Sequence, residues 1–227
     1  MPDGAWRLVY DAESSDGTSN IARALGASFV SVPWRGFAQA RSDACVMVTT
    51  PWTFMLDADE RLTPELRDEL LALDPPADVD GYLVARKNVF CGRWIRGAGW
   101  WPDRLVRLFR SGRARIEARH AESPASLHET WIVAGRCEQL KSPIEHQAYA
   151  TSADYLRKFA HYTALEAHGS RDRTGAIAVI AAWAVVPIRA AWLLFARGGV
   201  LDGWRGLYVS VGSACYPAVV KWKARSG

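Results

Sequence analysis

The chain predicts an α/β fold, a mostly parallel sheet flanked by helices, followed by a helical C-terminal appendage. Three observations carry this reading. Short apolar runs alternate with amphipathic segments from residue 7 to residue 73, the order expected of a parallel sheet with crossover helices. The run Thr53-Phe54-Met55-Leu56 ends in two carboxylates one residue apart, Asp57 and Asp59. Hydrophobic residues make up 49% of the 227, enough for a sizeable core and too many for a disordered chain.

The elements follow in order. Arg7 to Tyr10 reads as a strand ending at Asp11. Ser14-Ser15-Asp16-Gly17-Thr18 is a turn rich in capping side chains, and Asp16 is assigned a structural role there. A helix from Thr18 to Leu25 stops at Gly26. Ser28 to Val32 is a second strand, Phe37 to Val48 a helix, and Thr53 to Leu56 a third strand. Thr63-Pro64-Glu65 opens another helix, whose buried face is Leu66, Leu70 and Leu73. Gly81 to Phe90 and Arg104 to Arg110 read as strands, residues 111–150 carry no clear pattern, and Tyr155 to Ala167 is an amphipathic helix. The catalytic part is therefore placed at residues 1–150 and the helical, basic, apolar appendage at 151–227.

Composition narrows the function classes. Cys45, Cys91, Cys137 and Cys215 are scattered and form no CxxC pair, which argues against a zinc site or a disulfide framework and fits a reducing cytoplasm. Met1-Pro2-Asp3-Gly4 lacks the basic start and apolar stretch of a signal peptide. Net charge is +4, but residues 171–227 carry eight Arg and Lys against two Asp, so the preceding part sums to −2. The basicity thus belongs to a tail, and no nucleic-acid partner is expected. A basic, apolar, Trp-rich tail suits an anionic membrane surface. Residues 176–196 are almost wholly apolar but contain Pro187 and Arg189. An Arg at the bilayer centre costs about 2.5–3.5 kcal/mol. Interfacial helices are therefore preferred to a span, with Trp183, Trp192 and Trp204 at headgroup depth and Lys221, Lys223 and Arg225 on anionic lipid.

Asp57 and Asp59 sit where ligands of open α/β sheets bind, at the carboxyl end of a strand. Paired carboxylates there suit a hard divalent cation that bridges to phosphates, and oxygen ligands take either Mg²⁺ or Mn²⁺. The bland alternative is a solvated acidic turn before Thr63. Arg104 and Arg107 could hold a pyrophosphate, or could line the solvent face of a strand.

Several motifs together resemble glycosyltransferase family 2, which has the GT-A (Rossmann-like) fold. They are Asp11-x-x-Ser-x-Asp-Gly-Thr18, Trp34-Arg-Gly-Phe37, Leu56-Asp-Ala-Asp-Glu60, Phe90-Cys-Gly-Arg93, Trp100-Trp-Pro-Asp103, Arg107-Leu-Phe109, Leu127-His-Glu129 and Leu201-Asp-Gly-Trp-Arg-Gly206. Their order is similar to that of the branch holding lipopolysaccharide-core glucosyltransferases. The resemblance implies inverting, metal-dependent transfer of a hexose from a UDP-sugar to a lipid-linked glycan or lipopolysaccharide-core acceptor, at the inner face of the cell membrane. It implies a uracil contact for Asp11, a ribose or metal contact for Asp57, and the metal-bridging role for Asp59. It points to Glu129 as general base, with His128 orienting it or touching phosphate, and allows His146 as a further metal ligand. Cys91, Trp100 and Trp101 are candidates for lining the acceptor site, though core packing explains them equally. In the family, a strand and helix bearing a nucleotide-contacting Asn-Glu pair precede the segment matching Arg7–Asp11, and the chain opens after that point. The expectation is either a misplaced start or a shortened relative, with an unpaired sheet edge in the second case. Two rivals remain: a catalytically impaired, membrane-bound partner of another transferase, and a nucleotidyltransferase that releases pyrophosphate.

Overall fold

A computed structural model describes residues 5–118, 129–168 and 175–226. The chain divides into two compact units, and two strands run through both. The first unit holds residues 1–55, 64–84 and 106–140; the second holds 56–63, 85–105 and 141–227.

In the first unit, β1 (Leu8–Asp11) and β2 (Ser28–Ser31) pair in parallel around helix α1 (Thr18–Ala24), the shortest form of a strand–helix–strand crossover. Asp16 accepts hydrogen bonds from both the backbone and the hydroxyl of Thr18, the structural role expected of it. Helix α2 (Phe37–Val46) follows. Strand β3 (Trp52–Phe54) then pairs antiparallel with the far end of β7 (Asp103–Arg110). Helix α3 (Pro64–Leu71) buries Leu66 completely, whereas Leu70 and Leu73 are only half-buried. The long strand β5 (Val79–Phe90) begins here beside the parallel β10 (Arg136–Gln139), and β8 (Ala114–Ala118) pairs antiparallel with β9 (Glu129–Val133). Phe109 and Trp131 stack 4.8 Å apart in this core.

The second unit contains the end of β5, joined to β6 (Arg93–Trp94) by the two-residue turn Cys91-Gly92. Both turn residues have positive φ, +47° and +74°, as a hairpin matched to strand twist requires. Strand β11 (Ile144–Tyr149) runs parallel to β5 and antiparallel to β4 (Glu60–Leu62). The α/β class thus holds, with strand directions mixed: β1–β2, β5–β10 and β5–β11 are parallel, and β3–β7, β4–β11, β5–β6 and β8–β9 are antiparallel.

Helix α4 (Ser152–His168) and helix α6 (Gly203–Ser226) bury an aromatic core around Phe90, with Tyr149, Tyr155 and Tyr208 rings 5.6–6.1 Å from it. Lys223, expected on lipid, instead donates to the Ala160 carbonyl and the Thr163 hydroxyl on α4. Helix α5 (Ala176–Ala191) continues into a wider turn at Trp192–Ala196. Pro187 lies inside this helix: proline removes one hydrogen bond, and the neighbouring turns carry the helix through. These 21 residues have a mean hydropathy of 2.0 and are long and apolar enough to cross a membrane. None of the α5 residues is buried.

The Leu201–Gly206 motif is a latch inside the second unit. Asp202, 4% exposed, accepts the backbone N–H groups of Arg96 at 3.1 Å and Gly97 at 2.7 Å. Arg205 donates twice to the Cys91 carbonyl, at 3.2 and 2.9 Å. A Cβ on Gly206 would lie 1.8 Å from the Gly199 carbonyl oxygen, so only glycine permits this crossing. Gly206→Ala and Asp202→Ala should each lower unfolding stability by about 2 kcal/mol in urea titrations, the first by backbone overlap and the second by orphaning the buried Gly97 N–H and the part-buried Arg96 N–H. Wild-type stability in both variants would contradict the latch.

Candidate functional site

The acidic turn that follows Leu56 is built into the second unit by strand register. His146 on β11 lies opposite Glu60 on β4 and opposite Asn88 on β5. Cross-strand partners share a sheet face, and Arg86 shares it with Asn88 two residues away. One polar row therefore crosses three strands. The Asp59 carbonyl accepts the Gln147 N–H at 2.9 Å, which fixes the turn against β11.

The side chains in this row form a continuous relay. Glu60, whose side chain is fully buried, meets Arg86 Nη1 at 3.5 Å with one oxygen and accepts the Asp57 N–H at 3.1 Å with the other. Arg86 also donates to Asp103 Oδ2 from Nε at 2.9 Å and Nη2 at 2.6 Å. The same oxygen accepts Asn88 Nδ2 at 3.2 Å. Asn88 Oδ1 stands 2.6 Å from His146 Nδ1, and His146 Nε2 stands 3.3 Å from Asp59 Oδ2. Asp59 is thus brought to His146 at the solvent end of the relay, its side chain 45% exposed.

The Asp59 oxygen and the His146 nitrogen are spaced as two neighbouring ligands of one small divalent cation would be, about 3 Å. Among the described residues, no three His, Cys, Asp or Glu side chains gather into a fuller cage. Two protein ligands leave positions for phosphate oxygens and water, the usual coordination of Mg²⁺ at nucleotide sites.

The other expected residues are placed as follows. Asp11 belongs to the first unit, 8% exposed, and both its oxygens accept from Ser14, from the backbone N–H at 2.8 Å and from the hydroxyl at 2.6 Å. Arg104 is exposed and Arg107 is 3% exposed; an odd spacing puts them on opposite faces of β7, so they are not brought together. His128 lies outside the described residues, and Glu129 is described only in its backbone, where it opens β9. Trp100 packs against the Phe90 core, while Trp101 meets Trp94 at 4.9 Å.

Arg86, Asn88 and Asp103 were not singled out for the site from the sequence, and Glu60 was noted only as the end of a motif. A signal existed: Arg86 and Asn88 are polar residues on one face of a strand otherwise built of Val84, Ala85 and Phe90.

Comparison with known proteins gives a family and relatives. Residues 8–129 match the family described as "Glycosyl transferase family 2". The lipopolysaccharide core biosynthesis glycosyltransferase LpsC of Rhizobium meliloti is 32% identical over 121 residues, covering 48% of this chain and 43% of that protein. Uncharacterized glycosyltransferases of Rickettsia prowazekii and Rickettsia felis are 40% and 38% identical over 77 residues, covering 34% of this chain and 26% and 27% of theirs. The chain spans less than half the length of each of these relatives. With the family match covering more than half of its residues, the chain belongs to glycosyltransferase family 2.

Proposed function

We propose that the protein transfers a hexose from a UDP-sugar to a lipid-linked glycan of the lipopolysaccharide-core type, with Asp59 and His146 holding a divalent cation. The observation that carries this reading is the Asp59–His146 pair at the end of a part-buried relay. When bound, Mg²⁺ or Mn²⁺ neutralises the diphosphate leaving group. Asp59 and His146 present one oxygen and one nitrogen toward that charge. Asp57, anchored through its backbone N–H to Glu60, contacts the ribose or the cation. Arg104, exposed on β7, is available to a phosphate oxygen.

The acceptor hydroxyl attacks the anomeric carbon, the bond from that carbon to the UDP oxygen breaks, and the hydroxyl proton passes to the Glu129 carboxylate. A single displacement inverts the anomeric configuration. Asp11 supports uracil recognition as a backbone-fixed carboxylate, the family role read from its motif.

The acceptor chemistry is consistent with the C-terminal helices. Ile177, Ile180, Ile188 and Phe195 are each more than two-thirds exposed along the apolar helix, and Trp183, Trp192 and Trp204 are 42%, 51% and 54% exposed. Such a surface fits the inner membrane face, with Lys221 and Arg225 exposed toward anionic lipid. Vesicles containing anionic lipid should carry the protein upward in a flotation gradient, and absence from the floating fraction would refute the membrane assignment.

UDP with Mn²⁺ should raise the melting temperature of the wild-type protein, and Asp59→Ala should abolish the Mn²⁺-dependent part of that rise together with sugar transfer. An Asp59→Ala protein with wild-type transfer would sink the metal assignment.

A further inference from the structure

The relay behind His146 does more than fill space. Asn88 Nδ2 faces two oxygens, the Trp100 carbonyl at 3.3 Å and Asp103 Oδ2 at 3.2 Å. Neither oxygen can donate, so this end of the amide must be the NH₂ group. The other end, 2.6 Å from His146 Nδ1, is then the carbonyl oxygen, an acceptor only. His146 Nδ1 must therefore carry a proton. A neutral imidazole has one N–H, so the lone pair falls on Nε2, the nitrogen that faces Asp59. Two acceptors facing each other at 3.3 Å repel unless a cation or a proton joins them. Asp103 is itself held in this role by Arg86, which donates to the same oxygen twice and meets buried Glu60 on its other side.

We propose that Asn88 is a positioning residue that fixes His146 as the Nδ1–H tautomer, with Asp103 and Arg86 locking its amide, so that Nε2 is presented to the cation beside Asp59. The inference rests on the metal reading above and deepens it. Asn88 touches neither cation nor substrate; it acts through the ring. Without it, His146 would take the Nε2–H form ordinarily favoured by free imidazole, donate that proton to Asp59, and close the site. Hydrogen bonds of this kind behind a metal-ligating histidine are typically worth 10–100-fold in metal affinity.

The test uses the full chain, labelled with ¹⁵N-histidine and free of metal, at alkaline pH. The His146 signal is identified by its loss in His146→Gln. Nδ1 protonated and Nε2 unprotonated is the expected pattern in the wild type, and the reverse in Asn88→Leu. Mn²⁺ titration followed by electron paramagnetic resonance should then show 10–100-fold weaker binding in Asn88→Leu. Asn88→Asp, which keeps an acceptor toward Nδ1, should retain the wild-type tautomer. An Nε2-protonated His146 in the wild type overturns the relay, whatever Mn²⁺ does, and so does wild-type Mn²⁺ affinity in a folded Asn88→Leu. Failure of the wild type to bind Mn²⁺ with Nδ1 protonated overturns the metal reading and leaves the tautomer assignment standing.

Discussion

The guanidinium of Arg86 is the interaction on which the site depends. It lies between Glu60, with a side chain wholly removed from solvent, and Asp103, and it ties two separate segments to one strand. Through Glu60 it holds the backbone of Asp57, the first residue of the acidic pair. Through Asp103 it holds Asn88 and so His146. A buried carboxylate without such a partner would be costly to ionise, and an unpaired Arg in its place would be equally unfavourable. His146 and the backbone of Asp57 therefore take their positions from one cation in the sheet, while Asp59 is tied to β11 by the Gln147 N–H on its carbonyl.

The C-terminal motif plays a corresponding part for the helices. Asp202 and Arg205 each reach back to backbone groups near the β5–β6 hairpin, and the glycines at 97, 199 and 206 allow the main chain to pass at distances that a Cβ would forbid. This fixes the start of α6, and the α6 packing against α4 buries the aromatic core around Phe90. Helix α5 is held beside these elements without burying any residue of its own. The polar relay and an apolar outer helix are thus both built on the second unit.

Much of this was legible in the sequence. The Asp-x-Asp turn was located because a short apolar run and the Thr63-Pro64 helix start flank it, both local patterns. The Asp16 turn belongs to the same class. The relay was not legible as such, because Glu60, Arg86, Asn88, Asp103 and His146 come together through strand register, which no local pattern encodes. Residues 111–150 were unreadable for a related reason: β8 alternates apolar and polar residues over only five positions, and β10 carries Arg136 and Glu138 in a four-residue strand without apolar alternation. Arg104 and Arg107 show the converse error. They look like a pair in the sequence, yet strand geometry sends them to opposite faces.

The most direct test of a two-ligand cation site is a crystal of the protein soaked with Mn²⁺ and UDP, examined by anomalous scattering. A manganese peak bonded to both the Asp59 carboxylate and His146 Nε2, with His146 Nδ1 still on Asn88, is the expected result. A manganese peak remote from His146, or none at saturating Mn²⁺ with Asp59 and His146 still in direct contact, would contradict it.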